Sequence, residues 1–181
     1  LGKRPEIFAQ GSGQSSHASA WTAQWKLVRQ VLLDWLYPPR CAGCNQSGSL
    51  WCPVCRAHTQ PLAHPICLHC GRPQAKLASD TRVCLQCSDS LLEIDGIRSS
   101  VMFKGPLRQA IHHLKYNGRT SVAEPLGEYL QEYWRAEPLP ADVIVPVPLH
   151  ATRQRERGYN QSTLLAWQLA QASQLPVMEN A

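Results

Sequence analysis

Apolar residues recur at intervals of three and four from Trp21 to Tyr37, placing Trp21, Trp25, Val28, Leu32, Trp35 and Leu36 on one helical face. Pro38-Pro39 ends that pattern, so 21–39 reads as an amphipathic helix with its stop. Its stripe is expected to pack on the neighbouring module, with docking to a partner or membrane as the competing use. Further along, Ile97 to Phe103 reads as a strand. Gly105-Pro106 then opens a helix whose Leu107, Ala110, Ile111 and Leu114 share a face, with proline where a missing N–H costs nothing. Asn117-Gly118 stops it. A second helix, about Val122 to Trp134, carries Val122, Leu126, Tyr129, Leu130 and Tyr133 on one side. The run Val143 to Leu149 has the apolar density of a buried parallel strand, interrupted by Pro146 and Pro148, which force its end into an extended turn. A basic loop from Arg153 to Gly158 follows, then a helix from about Asn160 to Ser173. No internal repeat is visible beyond the cysteine pairs.

Between the two amphipathic regions the pattern breaks down, and cysteine takes over. All eight cysteines of the 181 residues lie between Cys41 and Cys87, as four C-x-x-C pairs: Cys41/Cys44, Cys52/Cys55, Cys67/Cys70 and Cys84/Cys87. A turn with two intervening residues brings both sulfurs onto one metal at about 2.3 Å and leaves two tetrahedral vertices for a second such turn. Four pairs therefore make two Cys₄ sites. Gly43 and Gly71 are expected to supply the backbone freedom of these turns. A disulfide framework needs an oxidising compartment, and a thioredoxin-like redox motif uses one pair rather than four. Iron–sulfur ligation stays open beside zinc. If the metal is zinc it is structural, since four thiolates leave no vertex for water. Pairing also stays open: the sequential scheme has the shorter loops, and an interleaved one costs little extra closure entropy. His58, His64 and His69 are expected at the surface, because eight thiols already fill two tetrahedra.

The composition, 44% hydrophobic and 17% charged, is that of a globular chain and excludes collagen, coiled coil and wholesale disorder. Residues 1–20, rich in Gly, Ser, Gln and Ala, read as a disordered lead-in with no apolar signal segment. The longest apolar stretches are far short of the roughly 20 residues a bilayer requires, so a cytoplasmic location is expected. The formal charge of +5 invites a polyanion partner, but residues 91–181 are neutral overall, and eight metal-bound thiolates would lower the total further.

The last chemical signal is V-I-V-P-V-P-L-H-A-T-R-Q-R-E-R-G-Y-N-Q over 143–161. A strand, a loop with Arg153, Arg155 and Arg157, and a helix start near Asn160 form the layout of an anion site, since helix-end amides and guanidinium forks both favour phosphate oxygens. Alone, three such arginines also suit a solvated loop.

From about Leu32 onward, through P-P-R-C-A-G-C, C-L-H-C-G-R-P-Q, H-H-L-K-Y-N-G-R and P-V-P-L-H-A-T-R-Q-R-E-R-G-Y-N-Q-S, the chain resembles the ComF family of competence proteins. The resemblance implies an α/β fold: an N-terminal double zinc ribbon over 40–90, then a partial type I phosphoribosyltransferase-like parallel sheet with helices over 91–181. It implies two structural Zn²⁺ and a site for phosphoribosyl pyrophosphate (PRPP) or a related phosphorylated ligand, with Mg²⁺. Arg153, Arg157, Gly158, Tyr159, Asn160 and Gln161 would lie at the diphosphate, and Lys115 and Tyr116 in a hood over the substrate. The family continues with an acidic pair followed by T-T-G, which cradles the rest of PRPP. These residues contain no such motif, so the sheet is expected to be incomplete and this chain a truncated, inactive form. No catalytic residue is assigned. The implied process is DNA uptake, with single-stranded DNA and competence-machinery proteins as partners. The alternative is a zinc-ribbon module that binds single-stranded DNA or a protein without catalysis; stacking would then fall to Trp51, the module's one tryptophan.

Overall fold

The computed structural model describes residues 38–74, 82–88 and 94–179. The expected lead-in and the Trp21–Tyr37 helix lie outside these. Among the described residues six helices follow one another: α1 (Pro53–Ala57), α2 (Leu85–Ser88), α3 (Gly105–Tyr116), α4 (Ala123–Ala136), α5 (Ala151–Arg157) and α6 (Gln161–Ser173), with a 3₁₀ turn at Thr120–Val122 leading into α4.

The cysteine region is built twice on one plan, a repeat that its unequal loops conceal in the sequence. In the first half Cys41 N–H donates to Gln46 C=O (2.8 Å) and Asn45 N–H to Cys41 C=O (2.8 Å). In the second, Cys67 N–H donates to Arg72 C=O (2.9 Å) and Gly71 N–H to Cys67 C=O (2.9 Å). Antiparallel bridges Arg40–Ser47 and Ile66–Pro73 close the two turns. The left-handed residue of each is Asn45 (φ 65°) and Gly71 (φ 70°). Asparagine tolerates that region better than most residues. Gly71 thus has the expected role, but Gly43 does not: it is needed for space, because a Cβ there would meet Cys55 Sγ at 2.7 Å, Pro106 Cβ at 2.7 Å and Trp51 Cζ3 at 3.0 Å. The second pair of each half opens a short helix, α1 or α2.

The helical region follows the predicted periodicity. Helix α3 has Pro106 in its first turn and ends at Asn117, with Gly118 at φ 66° beyond it. It buries Leu107, Ala110 and Leu114. Val122, Leu126 and Tyr129 are buried against them, and Leu130 and Tyr133 of the predicted face are half-buried. Helix α4 crosses α6 so closely at Gly127 that a Cβ there would lie 2.2 Å from Gln168 Cβ.

One core joins ribbon and helices. Cys41, Ala42, Trp51, Cys52 and Cys55 belong to the same buried cluster as Leu107, Ala110, Leu114, Val122, Leu126 and Tyr129. Trp51 Nε1–H donates to Tyr129 Oη across this seam (2.8 Å), and Arg56 pairs with Glu128. The second ribbon stands outside that cluster. Its links run to the 94–98 segment, where Arg98 donates to Leu68 C=O (2.6 Å) and Ile97 N–H to His69 C=O (2.8 Å).

Two expectations change. Among the described residues there is no multi-residue ladder: Ile97 to Phe103 contributes one antiparallel bridge, Val101 to Pro61, and Val143 to Leu149 one parallel bridge, Ile144 to Val177. Prolines at 146 and 148 remove every second donor after Ile144, so the ladder has nothing to continue with. The zinc-ribbon part of the expected fold class stands, and the parallel sheet reduces to this single pairing. The Arg153–Gly158 loop is instead helix α5. Its residues are good helix formers, His150 Nδ1 caps it by accepting from Thr152 N–H (3.3 Å), and Gly158 at φ 78° closes it.

Candidate metal centres and anion pocket

The eight thiols gather sequentially: Cys41, Cys44, Cys52 and Cys55 in one group, Cys67, Cys70, Cys84 and Cys87 in the other, each with its sulfurs within 4.8 Å of one another. Cys44 and Cys52 sulfurs are 3.6 Å apart, and Cys70 and Cys84 sulfurs 3.9 Å. A disulfide needs about 2.05 Å, whereas the edge of a tetrahedron of sulfurs at about 2.3 Å from zinc is about 3.8 Å. The spacing matches the metal cage. Backbone N–H groups support the anionic sulfurs. Gly43 and Cys52 donate to Cys41 Sγ (3.4 Å each), Cys55 to Cys52 Sγ (3.4 Å), and Cys84 to Cys67 Sγ (3.3 Å). Burial alone would raise the Cys41 thiol, but N–H donation from Cys52, Cys44 and Gly43 outweighs it and brings the thiol down to about 6. Cys67 comes to about 6 in the same way, through Cys70, Cys84 and His69. Their partners move oppositely: burial, then hydrogen bonds to the other sulfurs, push the Cys55 thiol up. Four thiolates cannot coexist without a cation, and the donor set fits one structural zinc per group. Of the three ribbon histidines, His58 and His64 are exposed as expected, while His69 is half-buried with Nε2 unpartnered among the described residues.

A second constellation forms where α3 ends against α5. Lys115, Tyr116, Gly118, Arg153, Glu156 and Arg157 line one pocket of about 250 Å³. The Arg157 guanidinium sits 5.5 Å from the centre of the Tyr116 ring and donates to Gln161 Oε1. Tyr159 Oη–H donates to Leu114 C=O, fastening the turn after α5 to the last turn of α3. Asn160 caps α6, its Oδ1 accepting from Ser162 N–H (2.9 Å) while its Nδ2–H reaches Val147 C=O (3.0 Å). Its cap occupies one helix-end amide expected to face an anion. The structure thus brings Lys115 and Tyr116 beside Arg153 and Arg157, places Gly158 at the turn, and gives Tyr159, Asn160 and Gln161 supporting contacts. Glu156, which sequence reading passed over, lies in the same pocket, 3.6 Å from Arg153; its spacing from Arg153 is the i,i+3 signal of a helix rather than a loop.

Residues 32–94 match the double zinc ribbon domain family. The chain is also similar to competence protein ComFC of Bacillus subtilis (strain 168), at 30% identity over 70% of this chain and 54% of that protein. The chain is a homologue of this competence protein. The DNA utilization protein YhgH of Salmonella typhi is 35% identical over 66% of the chain and 53% of its own length. Competence protein F of Haemophilus influenzae is 28% identical over 77% and 56%. The chain spans about half the length of these curated relatives. No solved structure matches it. Among the described residues, no helix is long and apolar enough to cross a membrane.

Proposed function

We propose that this ComF homologue serves the competence and DNA-utilisation role for which its relatives are named, in the cytoplasm, and that its α3–α5 pocket binds the diphosphate of PRPP or a related phosphorylated ligand. The observation that carries this reading is the meeting of Lys115 and Tyr116 with Arg153 and Arg157 around one pocket, although they are some 40 residues apart in the chain. Arg157, held by the Tyr116 face and Gln161, keeps guanidinium donors for phosphate oxygens, and Lys115 adds a point charge. Glu156 supplies the one carboxylate among the described residues of the pocket, enough for a Mg²⁺ that takes its other ligands from phosphates and water. In this reading, 40–90 is the double ribbon, and 91–181 is phosphoribosyltransferase-like, with Ile144–Val177 the seed of its parallel sheet. The ribbon-only alternative loses its stacking residue, since Trp51 is buried and committed to Tyr129.

Calorimetry with PRPP and Mg²⁺ tests the proposal. Weak binding is expected, because these residues lack an acidic pair followed by T-T-G to grip the ribose end, and turnover is not expected. Arg157→Ala should remove one or two charge-assisted bonds of about 1.5–3 kcal/mol each, weakening binding at least tenfold. Equal affinity of the variant would refute the pocket assignment.

A further inference from the structure

The stripe of α4 that faces the ribbon runs at spacings of three and four, and only its first half enters the core. Leu126 and Tyr129 are buried there. Further along the same stripe, Tyr133 and Ala136 line a hollow of about 600 Å³, with Glu132 and the C-cap residue Glu137 beside them. A second wall is the connector between the two ribbons, through Pro61, Leu62, His64 and Ile66, and a third is Ser99 to Val101. The second and third walls are fixed to each other: Pro61 and Val101 form an antiparallel bridge, and Met102 N–H donates to Gln60 C=O (2.9 Å). None of these residues lines the α3–α5 pocket. Small-molecule sites span about 300–1,000 Å³ and combine apolar and aromatic walls with a few polar groups, as this hollow does.

Its charges do not balance. Arg56 pairs with Glu128 and stands 3.6 Å from Glu132, so two carboxylates share one guanidinium, which also lies over the Tyr129 ring at 5.4 Å. Glu137 has no such partner among the described residues. Tyr133 Oη–H donates to its Oε2 (3.0 Å), and His64 Nε2, a cation only when protonated, lies 3.7 Å from its Oε1. Burial, then Glu137 itself, pushes the Tyr133 hydroxyl above its usual range, with Arg98 acting the other way, so the phenol keeps its proton and remains a donor. Arg98 is turned to the Leu68 and Ile97 carbonyls. A carboxylate oriented by a phenol at an apolar hollow, without a permanent cation of its own, complements a positive group carried on an apolar body. An anion would be repelled by Glu132 and Glu137, and a wholly apolar ligand would strip water from Glu137 and replace it with nothing.

We infer that the hollow between α4 and the ribbon connector is a second ligand site, one for a small organic cation, with an ammonium or amidinium group at Glu137 and an apolar ring against Tyr133, Leu62 and Val101. The site goes beyond the PRPP reading and stands or falls separately from it.

An NMR titration of the whole chain with tryptamine tests this, run beside two probes that carry the same indole, neutral tryptophol and anionic indole-3-acetate. Tryptamine should bind with a dissociation constant of about 1 mM or below, and about tenfold more tightly than tryptophol, because its bond to Glu137 is charge-assisted. Indole-3-acetate should bind more weakly than either. Glu137→Gln keeps an acceptor for Tyr133 at an exposed position, so the melting temperature should be unchanged while the preference for tryptamine over tryptophol disappears. Ala136→Phe, which fills the hollow, should remove binding of all three probes. Arg157→Ala should bind tryptamine as wild type does. No binding of tryptamine, equal affinity of wild type for tryptamine and tryptophol, or an undiminished preference in Glu137→Gln would each overturn the inference. So would tryptamine binding that survives Ala136→Phe or is lost in Arg157→Ala, either of which would place the indole elsewhere. Failure of PRPP binding with tryptamine binding intact would sink the proposed function alone.

Discussion

Replacing Gly43 with alanine should damage the first metal site and the helical core together. The added methyl would lie 2.7 Å from Cys55 Sγ, 2.7 Å from Pro106 Cβ and 3.0 Å from Trp51 Cζ3. None of these can yield cheaply: one is a metal ligand, one starts α3, and one is a buried indole bonded to Tyr129. Overpacking typically costs about 1–3 kcal/mol, and three simultaneous contacts on rigid groups put this case near about 3 kcal/mol. For a domain of this size that corresponds to a melting temperature lower by about 10 °C. Gly71→Ala is the informative contrast. There the φ of 70° and a Cβ only 2.5 Å from Ile97 C=O strain the second turn, which lies outside the shared core. Circular dichroism melts paired with a zinc-release assay separate the two. Gly43→Ala should lose zinc and helical stability at once, whereas Gly71→Ala should lose up to one zinc with the helical melt unchanged. A Gly43→Ala protein that melts within about 2 °C of wild type with both metals in place would refute the shared-core reasoning.

Trp51→Phe leaves the buried Tyr129 Oη without its donor, so a loss of about 1–3 kcal/mol is expected by chemical denaturation, partly recovered in the Trp51→Phe/Tyr129→Phe double variant. His113 is held below the usual 6.5 by burial, then by Arg119 and His112, and its Nδ1 has no partner among the described residues. The folded chain therefore takes up this proton less readily than the unfolded chain. The stability involved is complete above about pH 6.5 and is lost as pH falls below it. His113→Gln should flatten the fall in melting temperature between pH 7.5 and 5.5, and parallel curves for variant and wild type would contradict this.

What could be read in advance divides by physical cause. Helices α3 and α4 were legible because a buried face leaves a 3.6-residue period, and Pro106 and Gly118 marked the ends of α3. The two cysteine groups were legible because C-x-x-C spacing reflects the metal's tetrahedron. Which pairs meet was not, since closure entropy barely separates the schemes and the deciding contacts, such as Gly43 against Cys55, are tertiary. Helix α5 was missed because three arginines read equally well as a solvated loop; its capping by His150 and Gly158 depends on geometry. The Val143–Leu149 run looked like a strand by hydrophobicity, yet its prolines leave one bridge.

Sequential assembly of the two metal cages is tested by elemental analysis of purified Cys44→Ser/Cys52→Ser protein. Wild type should carry close to two zinc per chain. Both substituted residues belong to the first cage, so the double variant should keep one zinc, held by Cys67, Cys70, Cys84 and Cys87. A double variant with no zinc would mean that the two positions serve different cages, and wild type without metal would remove the ribbons altogether.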